Sequence, residues 1–211
     1  MNAAVQKNPM RTLILRMLGG AVAGGVAITA FLAVVGDRLA DLDDKATVVA
    51  IAAGATYIVI GLSVALGLVA PKAGATYLNV EDAEELREQG GMLALSAVAC
   101  ILTGAFLLIL ALAEAITPGL ALPPAAACII GIAVSGWMVA RRQDELTKQI
   151  GLESSTLTLQ VVMILVGGWA ALAVLGYADW LGPLAFIATV LLVQLFAIFV
   201  VITKRGMMMP R

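Results

Sequence analysis

Histidine is absent from all 211 positions of the sequence. Its absence removes histidine-ligated haem, His-bearing zinc sites and a histidine general base. Charge is scarce too: 13% of residues are charged, 13 basic against 14 acidic, for a formal net charge of −1. A nucleic-acid partner calls for a basic patch, so no nucleic-acid binding is expected. Cys100 and Cys128 allow at most one disulfide, and no C-x-x-C pair occurs. Lys7, Lys45, Lys72, Lys148 and Lys204 all fall outside the long apolar runs, so a mid-membrane Schiff-base lysine is missing as well.

The abundant material is apolar. Hydrophobic residues make up 62% of the chain and the mean hydropathy is +1.02, whereas soluble domains carry about 45–50% apolar and about 25% charged residues. Disorder, which needs low hydrophobicity and high net charge, is excluded. Six uncharged runs stand out, at about 17–35, 46–70, 92–113, 120–140, 156–177 and 181–203. A helix rises 1.5 Å per residue, so about 20 residues cross a hydrocarbon core of about 30 Å. The expectation is an all-α integral membrane protein: one polytopic domain of six transmembrane helices arranged as three antiparallel hairpins. The first run is too long for a signal-peptide core, and Gly36-Asp37-Arg38 is a poor cleavage site, so it reads as a retained span.

With six spans both termini lie on the same side. One side then holds Lys7, Arg11, Arg16, Lys72, Arg87, Arg141, Arg142, Lys148, Lys204, Arg205 and Arg211, the other Arg38 and Lys45. By the positive-inside rule the richer side is cytoplasmic. The chain is therefore expected in a membrane of the bacterial inner-membrane kind, with both termini inside. Outside, Thr117-Pro118-Gly119 and Pro123-Pro124 mark the turn between spans three and four, and Tyr177-Ala178-Asp179-Trp180 joins spans five and six. Short joins of this kind force antiparallel neighbours. Tyr177 and Trp180 suit an interfacial aromatic belt.

The inner loops, 71–91 and 141–155, are longer and strongly charged. Asn79 with Glu81 and Asp82 opens like a capped surface helix continuing to Gln89. Arg141 and Arg142 suit a helix C-terminus and anionic headgroups alike. Arg87, Arg141, Arg142, Asp144 and Glu145 are the candidate contacts for a protein partner or lipid. Leu15-Arg16 before Gly19-Gly20, Leu86-Arg87 before Gly90-Gly91, and Leu146 before Gly151 raise the further expectation of three parallel repeats about an axis along the membrane normal.

Three polar residues are candidate intramembrane sites. Glu114 abuts the outer end of span three, where an acid is a candidate proton or cation site. Gln160 and Gln194 lie roughly 6 and 13 Å from the inner surface, near enough for an interhelical hydrogen bond or a solute path. Asp37, Asp41, Asp43 and Asp44 crowd the first outer loop, but their spacing fits no EF-hand, and Asp43 and Asp44 more simply cap span two. No metal site or cofactor is expected. Cys100 and Cys128 differ in depth by roughly 8 Å, too far for a disulfide, and read as packing residues. Gly20-x-x-x-Gly24 and Ala127-x-x-x-Gly131-x-x-x-Ser135 are small-residue stripes for close helix packing, within the bundle or in a homo-oligomer.

No catalytic constellation appears; Asp144, Glu145 and Glu153 near Arg141 and Arg142 are the inner-face carboxylates, and they form no motif. The expected function is non-enzymatic: an accessory, scaffold or sensing subunit acting through a protein partner at the cytoplasmic linkers. The alternative is a small solute or ion transporter or channel.

Overall fold

In a computed structural model of the chain, residues 45–71, 74, 83–113 and 118–206 are described. The expected span 17–35 lies outside them with its Gly20–Gly24 stripe, as do Glu114, the outer-loop acids Asp37, Asp41, Asp43 and Asp44, and the Asn79 cap. Helices α1 (Lys45–Val69), α2 (Ala83–Glu88), α3 (Gly90–Ala111), α4 (Pro118–Arg142), α5 (Glu145–Val174) and α6 (Pro183–Lys204) make up the described fold, and no strand occurs among the described residues. All but α2 are long and apolar enough to cross a membrane. The described residues are all-helical, with the apolar helices of an integral membrane protein.

Two boundaries differ from expectation. Pro123 and Pro124 do not belong to a turn; α4 begins at Pro118 and runs through both. Near a helix start the missing N–H groups cost least, and bundle packing lets a membrane helix tolerate proline further in. The second difference is α5, which starts at Glu145 rather than near 156. The Asp144 carboxylate accepts the Thr147 backbone N–H at 2.9 Å, an N-cap that starts the helix well before the apolar stretch. Glu145 sits in the first turn, where the helix dipole favours an acid. At its other end α5 stops in a Schellman motif: the Tyr177 N–H reaches Leu172 O at 2.9 Å, the Gly176 N–H reaches Ala173 O at 3.1 Å, and Gly176 takes φ +78°.

The helices lie in a row: α4 packs on α3, α3 on α1, α1 on α6, and α6 on α5, with slighter contact between α3 and α6. The closest approach is between α1 and α3. A Cβ placed on Gly54 would lie 2.9 Å from Gly104 O, and one on Gly61 would lie 2.8 Å from Ala97 O, so the two backbones touch where side chains would normally intervene. Gly54 and Gly61 are seven residues apart, as are Ala97 and Gly104, and the crossed pairing makes the helices antiparallel with one small residue per two turns on each. Ile51 and Leu107 fill the seam, fully buried, and Ala188 and Leu191 of α6 close it from the far side. The Tyr57 hydroxyl donates to Leu191 O at 2.6 Å, tying α1 to α6.

The expected stripe on α4 holds in part. Ser135 is buried and Gly131 meets Leu102 of α3, but Ala127 is exposed. The buried face runs instead through Ala121, Ala125, Cys128 and Ser135, the heptad-like spacing that keeps one face toward one neighbour.

Candidate functional site

Charge gathers at one end of the row because the antiparallel pairings bring the right helix ends together. Arg142 at the end of α4 has its Nη1 2.9 Å from where a Cβ on Gly91 would lie, so the last turn of α4 meets the first turn of α3. Arg205, just past α6, donates from Nε and Nη2 to the two carboxylate oxygens of Glu153 at 3.1 and 2.5 Å, and from Nη2 to Gln149 Oε1 at 3.5 Å. That bidentate pair ties the end of α6 to the start of α5. Among the described residues, Arg87, Arg141, Arg142, Lys148, Lys204 and Arg205 all lie at this end, and Lys45 at the start of α1 is the basic residue at the other.

The charges here are sorted. Arg205 holds the Glu153 carboxyl below the usual glutamate range, and the carboxylate in turn raises the arginine. Asp144 is held below the usual range by its hydrogen bonds from Thr147. Glu145 pairs with Lys148 at 2.9 Å. Arg141 lies over the Trp137 ring, 3.7 Å from its centroid. Arg87 is exposed on α2, whose Leu86 is buried and fixes that short helix to the bundle. Thus Arg87, Arg141, Arg142, Asp144 and Glu145 share one end of the molecule, with their polar ends at its surface.

Inside the apolar stretches the structure does not bring the two glutamines together. Gln160 is exposed on α5, Gln194 is half-buried on α6, and no hydrogen bond joins them. Four hydroxyls bond their own helix: Thr56 to Ala52 O, Ser96 to Met92 O, Thr103 to Ala99 O and Thr158 to Ser154 O, all between 2.7 and 3.0 Å. A cleft of about 450 Å³ opens between α4 and α6 with α3 as its floor, lined by apolar groups such as Phe106, Ile129, Ile132, Phe186 and Val190. Both cysteines are free, Cys100 half-buried and Cys128 buried. No group of three or more Cys, Asp or Glu side chains able to hold a metal occurs among the described residues.

The Arg205–Glu153 clasp was missing from the sequence reading. Its signal was there in the two residues' equal distance from the join between spans five and six, which an antiparallel pair brings level. Comparisons with protein families, curated proteins and solved structures return no match for this chain.

Proposed function

We propose that this chain is a non-enzymatic, six-span subunit of a bacterial inner membrane that works by docking a protein partner on its cytoplasmic face. In this reading residues 17–35 supply the sixth span and pair with α1 as the first of three hairpins, and both termini are cytoplasmic. One observation carries it: α2, the α4–α5 join and the end of α6 bring their charges to one end of the molecule, while Thr56, Ser96, Thr103 and Thr158 within the apolar stretches spend their hydroxyls on their own helices. The exposed carboxylates Glu88, Asp144 and Glu145 together with Arg87 offer a mixed-charge patch suited to a complementary protein surface. The basic excess at this end supports the cytoplasmic assignment.

The test is purification of the full chain from its native membrane in mild detergent, with mass determination of everything that co-elutes. A stoichiometric protein partner, lost when Asp144 and Glu145 are changed to lysine, is the expected result. A partner-free homo-oligomer that moves ions or metabolites into liposomes faster than protein-free controls would overturn it in favour of a transporter.

A further inference from the structure

Among the described residues, two ion pairs match only two of the six cations at the linker end. Lys148 is matched by Glu145 and Arg205 by Glu153. Among the described residues neither Arg141 nor Arg142 has a carboxylate within ion-pair distance, and both are exposed. The two nearest acids in sequence are already engaged, Asp144 in capping α5 and Glu145 with Lys148.

The surroundings of this arginine pair suit a lipid. Ile130, Val134, Trp137 and Arg141 follow at i, i+4, i+7 and i+11, so they form one stripe along α4. The first three are about half exposed or more, on the side away from the face that packs on α3. From Ile130 to Arg141 the stripe rises roughly 16 Å, about half the thickness of a hydrocarbon core. It therefore passes from aliphatic side chains to an indole, the residue that prefers the headgroup boundary, and ends on a guanidinium stacked over that indole. Stacking holds the Arg141 fork in place while leaving its N–H edge free for an oxyanion. Arg142 is held one step round the helix against Gly91, where the missing side chain gives it room.

We propose that Trp137, Arg141 and Arg142 form a binding site for the phosphate of an anionic phospholipid, with the acyl chains lying along the Ile130–Val134 stripe. Guanidinium groups bind phosphate oxygens bidentately. Two of them with no described carboxylate within ion-pair distance favour a headgroup of net negative charge over a zwitterionic one, whose own ammonium already neutralises its phosphate. The site is independent of the partner reading: it concerns Arg141 and Arg142, and the partner patch concerns Arg87 and the carboxylates.

The experiment places the full chain in nanodiscs and measures quenching of Trp137 fluorescence by brominated phosphatidylglycerol and by brominated phosphatidylcholine. The Trp137→Phe protein identifies that residue's share of the signal. Wild-type Trp137 is expected to recruit the anionic lipid preferentially, and the preference should fall roughly five-fold for each arginine changed to glutamine. Lys204→Gln, at the same end but away from the stripe, should keep it. Equal quenching by the two lipids in the wild type sinks the proposal without any variant, as does a preference that survives in Arg141→Gln/Arg142→Gln. Loss of the preference on adding millimolar inorganic phosphate would assign the pair to a soluble phosphate and overturn the lipid.

Discussion

The α1–α3 seam and the α5–α6 pair are both antiparallel contacts between apolar helices, yet they are held by different means. In the seam Gly54, Gly61, Ala97 and Gly104 let backbone meet backbone, and large side chains such as Ile51 and Leu107 are fully buried beside them. The apolar stretch of α1 is far more buried than that of α5. The α5–α6 pair is tied at its ends instead, by Arg205 on Glu153 at one and by the Trp169 Nε1–H donating to Asp179 O at 2.8 Å at the other. In a bilayer, apolar side chains gain little from leaving lipid for protein, so close packing and hydrogen bonds must provide the association. The seam uses the first and the pair the second.

The contrast is open to attack by substitution, with the largest effect at the seam. Gly54→Ala or Gly104→Ala places a Cβ against opposing backbone that no side-chain rotation can relieve, and should cost about 1–3 kcal/mol in a steric-trap or denaturant measurement of the reconstituted protein. Gly167→Ala in α5 meets nothing within 4 Å. It should be neutral or stabilise by up to about 1 kcal/mol through helix propensity. If all three behaved alike, the distinction between seam and pair would fail.

Gly176→Ala addresses the join of the α5–α6 pair. Its φ of +78° strains any L side chain by roughly 1–2 kcal/mol, so the thermal midpoint should drop although nothing lies within 4 Å of the new methyl group. Tyr57→Phe removes the bond from α1 to Leu191 O and should cost about 0.6 kcal/mol, the average for a polar contact between membrane helices; the same stability assay reads it.

The smallest expected effect is a pH dependence at the clasp. Glu153 titrates below its ordinary range because Arg205 holds its carboxylate. Its contribution is thus complete above the unfolded pKa of about 4 and declines as pH falls through the lower folded value. Arg205, raised by the same contact, stays protonated throughout this window. The midpoint of Glu153→Gln should therefore lie slightly below that of the wild type at pH 7, and the gap should close as the pH is taken below about 4. A gap that persists into strong acid would show that the clasp acts through something other than charge.

Much of the fold is legible along the chain because crossing a membrane is a local matter of length and polarity. The apolar runs at 46–70 and 92–113 predict α1 and α3 to within two residues at each end. The start of α5 escaped because its first turns are polar, and only the Asp144 cap marks where that helix begins. The α4 stripe was half right because small residues recur on several faces of a membrane helix, and only a neighbour decides which face is used. The seam went unseen for the same reason. The seven-residue spacings in Gly54–Gly61 and Ala97–Gly104 are present in the sequence, but their meaning depends on which two helices meet.

The candidate sites divide along the same line. Arg87, Arg141, Arg142, Asp144 and Glu145 were legible as a charged group because polarity at the end of an apolar run is a local property. Which of them is neutralised was not. Arg205 finds its carboxylate 52 residues back along the chain, across a helix pair whose register no local pattern states.

The amino-acid order alone determined that this chain makes apolar helices of membrane-crossing length and that its basic residues collect between them. Hydrogen bonding within each helix and the thickness of the hydrocarbon core settle those matters one segment at a time. Tertiary structure decided the order of helices in the row, the choice of Gly54 and Gly104 as the point of contact, and the pairing that engages Arg205 while Arg141 and Arg142 find no carboxylate among the described residues. Each of these depends on residues far apart in the chain meeting at a fixed register, and register is a property of packed surfaces.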